Sequence, residues 1–423
     1  MFEDVVTSAS RTVESRALPP LLVQFLQLFE GLPLILVDKD TLSCFKSRKD
    51  CWDSDRDNEV NFVLPKLYWG CLANNTTDGR FERRAHTSNH LVFVATTIGA
   101  KRPISFFVSA LEEKGDHWLV AAWPEFNRPA WATLRTNVSR FRILEFDSSV
   151  FVLVPTDLDY FLWQLNHSRL LTCRQDLATK LRNQYPQNYR DPYLPENAVT
   201  DLAIYRDISY QIRVRVMLFG GTLLGWYREC GLIPYTTDLD TVAMATDYTH
   251  KMENIWKWQP EFILYWVLGK PTDSFELTVY KGETKIDFFL LYEDADSSWV
   301  GGMFVPDRTK LRWIFPKLDG ICSAELGDHL FAVPCNVEEF LRAGYGASWQ
   351  IPHHEDNYTW NSSPENVREY GEWSSSEMSI VYRPFDLSPT DTETKTGVIL
   401  RPQLHHLCIL FCSLLRLTVA TQL

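Results

Sequence analysis

At 423 residues the chain has room for two domains of ordinary size, each able to bury its own core. A composition of 45% hydrophobic and 23% charged residues, with no low-complexity tract and no internal repeat, excludes a disordered chain and a repeat array. Forty-two basic against fifty-four acidic residues give a net charge of -12, which repels a polyanion, so no nucleic acid is expected as a partner.

Leu21, Leu22, Phe25, Leu26, Phe29 and Leu32 recur at helical spacing, and Pro33 ends the pattern before Leu34-Ile35-Leu36-Val37. A helix feeding a strand is predicted. Short apolar runs follow at 91–94, 104–108, 118–120 and 150–154, with Glu113-Lys114-Gly115-Asp116 as a hairpin turn between two of them. Residues 1–157 therefore read as a sheet-rich accessory domain. Asp157 can cap a helix whose apolar face is Leu158, Phe161, Leu162 and Leu165. Pro186, Pro192 and Pro195 punctuate the next stretch, so 158–195 is expected to be a helix and a linker. Val199, Leu202, Tyr205, Ile208 and Ile212 mark one face of a further helix, which delivers the chain into a strand over 214–219. The second domain is placed at 196–385 and a tail at 386–423. Within that tail the apolar stretch 407–417, interrupted by Arg416, is too short to span a bilayer, which takes ~20 residues.

Nine cysteines, at 44, 51, 71, 173, 230, 322, 335, 408 and 412, contain no C-x-x-C pair, which argues against a zinc ribbon. Their odd number leaves at least one thiol free or paired between chains, and connectivity does not follow from spacing. Six Asn-x-Ser/Thr sequons, at Asn74, Asn75, Asn137, Asn166, Asn357 and Asn361, favour a secretory-pathway protein. The opening Met1-Phe2-Glu3-Asp4 shows neither a basic region nor an apolar core, so no signal peptide or anchor is visible.

The chemistry is expected from Phe219 onward. Gly220-Gly221-Thr222 between a strand and a short helix lets backbone approach an anion and offers it free N–H groups, although such a turn can also be plain geometry. Gly220 and Gly225 have Walker A spacing, but Trp226 stands where that motif needs lysine, which excludes a P-loop. In Thr236-Thr237-Asp238-Leu239-Asp240, a strand would project Asp238 and Asp240 from one face and point Leu239 into the core. Paired carboxylates suit Mg²⁺ or Mn²⁺; the alternative is a polar turn with solvated acids. Asp287 lies in the apolar run Lys285-Ile286-Asp287-Phe288-Phe289, behind the turn Lys281-Gly282-Glu283. Buried, it needs a metal or a cation such as Lys285; otherwise it belongs to the wet face of an edge strand.

Strand, Gly-Gly, helix, D-x-D and a later acidic strand, with Gly-Gly-Thr-Leu-Leu-Gly-Trp-Tyr-Arg and Thr-Thr-Asp-Leu-Asp as they stand here, closely resemble the LicD/fukutin family. The likeness continues through Val333-Pro334-Cys335-Asn336, Tyr345-Gly346 and Trp349. It implies an α/β (α+β) fold: a nucleotidyltransferase-like mixed-sheet catalytic domain behind a fukutin-type accessory domain. It further implies transfer of a polyol phosphate, ribitol-5-phosphate-like, from a CDP-linked donor to a glycan of a glycoprotein. On that likeness Asp238, Asp240 and Asp287 are the catalytic metal ligands for Mg²⁺ or Mn²⁺, and Gly220, Gly221, Thr222, Arg228 and Lys285 hold the donor. No zinc is expected. Golgi or ER lumen is the implied location, with other glycosyltransferases as partners and room for a homo-oligomer. The opposing reading is a non-catalytic secretory scaffold for a partner glycosyltransferase, which would have no reason to keep a costly cluster of like charges.

Overall fold

The short apolar runs of the N-terminal part form strands. The structure, a computed structural model, describes residues 157–353 and 358–385 throughout, and ahead of them Phe25, Leu26, Phe29, the turn Gly115–Asp116 and the strands that follow. These are β1 (Leu34–Leu36), β2 (Glu59–Pro65), β3 (Phe81–His86), β4 (His90–Ala95), β5 (Ser105–Lys114), β6 (His117–Val120), β7 (Thr133–Arg135), β8 (Phe141–Asp147) and β9 (Val150–Pro155). They join in one sheet, ordered β3-β4-β5-β2-β1-β9-β8, with β6 on β5 and β7 on β6. The expected hairpin closes with Lys114 opposite His117, and Gly115 supplies the turn's positive φ of 53°. Phe25 stacks on Phe106 at 4.1 Å and joins Phe29, Leu34, Ile35, Phe62 and Leu64 in the core. Helix α1 (Leu158–Asn166) is capped as predicted, the Tyr160 N–H donating to Asp157 Oδ1 at 3.1 Å. Its buried face is Tyr160, Phe161 and Gln164, so of the four expected residues only Phe161 is fully buried.

The chain divides into compact units between Arg169 and Leu170. The second unit contains β10 (Leu170–Leu171), α2 (Gln175–Gln184), α3 (Ala198–Gln211), β11 (Met217–Leu218), α4 (Gly220–Glu229), β12 (Leu239–Met244), α5 (Lys251–Trp258), β13 (Ile263–Lys270), β14 (Asp273–Lys281), β15 (Thr284–Glu293), β16 (Ser297–Phe304), β17 (Thr309–Pro316), β18 (Ile321–Leu326), β19 (His329–Pro334), α6 (Val337–Tyr345), β20 (Val367–Glu372), α7 (Met378–Val381) and β21 (Tyr382–Pro384). Its mixed sheet runs β10-β18-β19-β11-β12-β15-β14-β13-β21, with β16 on β15, β17 on β16 and β20 on β17. The fold is thus the mixed α/β arrangement that the sequence pattern suggests.

The proline-rich stretch is not a linker here. β10 pairs with β18, Leu177, Leu181 and Leu194 enter the core, and Cys173 is disulfide-bonded to Cys230 at the end of α4. Pro186 opens a short 3-10 turn over Pro186–Tyr189, a place where its fixed φ is tolerated. A second disulfide, Cys322–Cys335, ties β18 to the residue after β19. Helix α3 buries Leu202 and Tyr205 as expected, but also Asp201, Arg206 and Ser209. Asp201 is satisfied there by Lys281 Nζ at 3.1 Å and by the Thr284 hydroxyl at 2.8 Å. The strand expected over 214–219 is only Met217–Leu218, because Phe219 already caps α4.

The tail 386–423, Cys44, Cys51, Cys71, Cys408 and Cys412, and the sequons at Asn74, Asn75, Asn137 and Asn357 lie outside the described residues. Among the described residues no helix is long and apolar enough to cross a membrane.

Candidate active site

Helix α4 begins on two glycines, and both are shaped by one carboxylate. Gly220 has φ +48°, and a Cβ there would fall on the Asp240 side chain, 2.8 Å from Cγ. No other residue fits at that φ and that approach. The Gly221 N–H donates to Asp240 Oδ2 at 2.8 Å, the Asp240 N–H donates to Thr222 Oγ1 at 2.7 Å, and the Phe219 N–H donates to the Asp240 carbonyl at 3.1 Å. A helix N-terminus favours negative charge, and here Asp240 supplies it.

Asp240 lies in β12, flanked by Leu239, which is fully buried in the core as the alternation predicts. β12 and β15 run parallel with Asp240 paired to Asp287, so both acids leave the same face side by side. Asp287 is not on a wet edge: β15 lies between β12 and β14, and the residue is 5% exposed. Lys285 Nζ sits between the acids, 2.6 Å from Asp287 Oδ2 and 3.2 Å from Asp238 Oδ2. From β14, Thr278 stands opposite Asp287 and donates its hydroxyl to Oδ1. The three expected aspartates therefore converge, from stretches 47 residues apart at Asp240 and Asp287, on one face of the sheet, with Asp287 buried and Asp238 partly exposed.

One ammonium does not neutralise this cluster. Burial first, then Asp238 and Asp287, push the Asp240 carboxyl well above the carboxylate range, against the Gly221 N–H and Lys285. Burial also raises Asp287, although Lys285 opposes it. For Lys285, burial pulls the pKa down, but Asp287 and Asp238 more than offset this and leave it raised. The same field reaches Glu276 on β14, where burial, followed by Asp287, pushes the carboxyl up to about 8 from 4.5.

Sequence reasoning missed Glu276. Phe275, Leu277 and Val279 alternate into the core, so Glu276 and Thr278 share the opposite face. That period-two pattern was the available signal, but it reads equally as a solvent face.

Two expected donor-holding side chains are placed elsewhere. Arg228 is 3% exposed, with Nε 2.8 Å from Glu229 Oε1 and one terminal NH donating to the Trp349 carbonyl at 3.1 Å. It stands seven residues along α4 from Gly221, about 10 Å at 1.5 Å per residue, and ties the helix to the Trp349 loop instead. Thr222 is 1% exposed and spends its oxygen on the Asp240 backbone, so it positions the acid and does not face a ligand. Gly220, Gly221 and Lys285 all lie against the carboxylates. Tyr345, at the end of α6, stacks on Tyr358 at 5.8 Å, and Asp240 lies close enough to help raise both phenols. Trp349 is buried and completes the core.

The residues fit a hard divalent cation in kind. Apart from the Lys285 ammonium, the side chains around the face, Asp238, Asp240, Asp287 and Thr278, offer oxygen ligands, and acids outnumber the lysine. As the side chains stand, no three His, Cys, Asp or Glu among the described residues are gathered at metal-ligand spacing, and Lys285 holds the place between Asp238 and Asp287.

Comparison with known proteins bears on the same region. Residues 213–336 match the family described as LicD/FKTN/FKRP, nucleotidyltransferase domain. The chain is 34% identical over 241 residues to an uncharacterized protein of Caenorhabditis elegans, covering 55% of this chain and 60% of that one. It is 35% identical over 234 residues to ribitol-5-phosphate transferase FKTN of Mus musculus, covering 54% of this chain and 50% of the relative. With the Homo sapiens protein of that name it shares 34% identity over 242 residues, 54% of this chain and 50% of the other. The chain thus spans about half the length of the FKTN relatives it matches. Over residues 213–336 the chain is similar to the LicD/FKTN/FKRP nucleotidyltransferase domain, and over rather more than half of its own length it resembles fukutin.

Proposed function

We propose that this chain is a metal-dependent phosphotransferase of the secretory pathway, in the Golgi or ER lumen, moving a ribitol-5-phosphate-like polyol phosphate from a CDP-linked donor to a glycan of a glycoprotein. The observation that carries the proposal is the in-register pairing of Asp240 with Asp287, beside Asp238 and a glycine helix start that closes directly on the Asp240 carboxyl. That the FKTN relatives are named ribitol-5-phosphate transferases supports the reaction class.

Asp238, Asp240 and Asp287 would hold Mg²⁺ or Mn²⁺. Such an ion supplies charge neutralisation on a diphosphate and a template for in-line displacement. The chain's own residues do the rest. Gly220 and Gly221 let the start of α4 close on the Asp240 carboxyl and bring its N–H groups to the donor's side, Thr222 fixes the Asp240 backbone, and Thr278 and Lys285 fix Asp287. In the transfer, an acceptor hydroxyl forms a bond to the phosphorus that bears the polyol. The bond from that phosphorus to the CMP oxygen breaks, and CMP leaves while the hydroxyl proton is lost. No covalent enzyme intermediate is needed. Other glycosyltransferases and a second copy of the chain are the partners to look for.

The test is release of CMP from CDP-ribitol, CDP-glycerol and CDP-choline with Mn²⁺. Asp240→Asn is expected to lower the rate at least ~100-fold, as loss of a group that stabilises transition-state charge does. Release that ignores this substitution sinks the proposal. A scaffold reading draws on the Lys285 bridge, which already pairs two of the acids; it requires that no donor be turned over.

A further inference from the structure

Beyond the aspartates, the same sheet face continues into an aromatic shelf that the donor chemistry does not use. Glu276 lies two residues along β14 from Thr278, about 7 Å at strand rise, and opposite Phe289. Next to it is Gly302 on β16. A Cβ at Gly302 would stand 3.6 Å from Glu276 Oε2 and 3.0 Å from the Trp313 ring. The bare glycine therefore lets the indole pack directly against the strand beside the Glu276 side chain. Trp313 reaches this position from β17, where it pairs across from Val300. Its Nε1 donates to the Trp360 carbonyl at 3.3 Å, and the two indoles lie 5.9 Å apart at 35°. Phe304 closes the row, 6.3 Å from Trp360. Trp360 is 52% exposed, a large apolar surface turned to water.

We infer that Glu276, Gly302, Trp313 and Trp360 form the subsite for the acceptor sugar. This rests on the transferase reading above and assigns the second substrate's place in it. An aromatic plate beside an acid fits a carbohydrate: the ring's C–H face packs on indole, and its hydroxyls hydrogen-bond to the carboxyl group. The shelf is continuous with the aspartates through Glu276 and Thr278, so a sugar seated there lies on the face where the phosphate is transferred. A cytosine ring could also stack on indole, and the experiment separates the two.

The full chain is prepared with Asn361→Gln, because Asn361 adjoins Trp360 within a sequon and the measurement needs a single glycoform. Binding is measured to immobilised neutral glycans ending in hexose or N-acetylhexosamine, and separately to CDP with Mn²⁺ by calorimetry. Trp360→Ala is expected to weaken the best glycan about tenfold, the loss of one stacking contact of ~1.4 kcal/mol, with CDP affinity kept within about twofold. Glu276→Leu, which keeps the side chain's bulk and removes its hydrogen-bonding oxygens, is expected to weaken the same glycan. If wild type binds no glycan of the panel, if both substitutions leave glycan affinity unchanged, or if Trp360→Ala weakens CDP as much as glycan, the subsite assignment is overturned. Wild type that binds glycan through Trp360 but not CDP overturns the transferase reading and leaves the subsite standing.

Discussion

Gly220 shows how little freedom a single position keeps in this site. Its φ of +48° and the Asp240 side chain at the place of its missing Cβ act together. Gly220→Ala is therefore expected to cost about 2–4 kcal/mol, backbone strain plus overpacking, read as a lower midpoint in urea. Lys285 is the second such position. Lys285→Met leaves Asp238 and Asp287 without their shared cation; in chelator the loss should be about 3 kcal/mol, and Mn²⁺ should restore much of it by binding the folded state. Glu276 carries the pH dependence. Its folded carboxyl titrates at about 8 instead of 4.5, so the folded state keeps a proton that the unfolded chain has given up. The stability this brings is full below 4.5 and is lost as pH rises toward about 8. In chelator, Glu276→Gln should match wild type near pH 4 and exceed it in melting temperature above pH 8; a constant difference across that range would count against the assignment.

At the scale of elements, the parts of the site that could be read from the sequence are those set by local periodicity. Leu239 falls into the core and turns Asp238 and Asp240 outward, and Gly282, at φ +57°, turns β14 into β15 where the Lys-Gly-Glu sequence places a bend. Asp157 caps α1 for the same local reason. What could not be read depends on neighbours distant in the chain. The prolines near 190 look like a linker, yet Leu177, Leu181 and Leu194 find partners in the core and Cys173 finds Cys230. Arg228 follows a motif that suggests a phosphate ligand, but only the fold brings Glu229 and the Trp349 carbonyl to it. Polar residues inside α3 defeat a one-face reading because Lys281 and Thr284 arrive from another hairpin to satisfy Asp201. The Cys173–Cys230 bond anchors the start of α2 to the end of α4 across 57 residues. Replacing both cysteines by serine is expected to cost about 2–4 kcal/mol by thermal denaturation, whereas reductant should then have a smaller effect than on wild type.

For the whole molecule, the division between Arg169 and Leu170 separates the carboxylate face from the N-terminal sheet. Calorimetry is expected to resolve two transitions, of which only the one belonging to the second unit moves upward with Mn²⁺ and CDP. The family match falls wholly inside that unit, so it speaks for the carboxylate face and leaves the role of the first sheet to experiment. The side-by-side stance of Asp240 and Asp287 also makes the protein sensitive to length in a way that composition does not reveal. Between the bend at Gly282 and Asp287 the strand has a fixed phase, and each residue added or removed reverses which side chains look outward. A single extra codon before Ile286, of any meaning, would turn Asp287 toward the hydrophobic interior and present an isoleucine to the substrate. Every charged residue of the site would still be encoded, and the proposed transfer would be abolished.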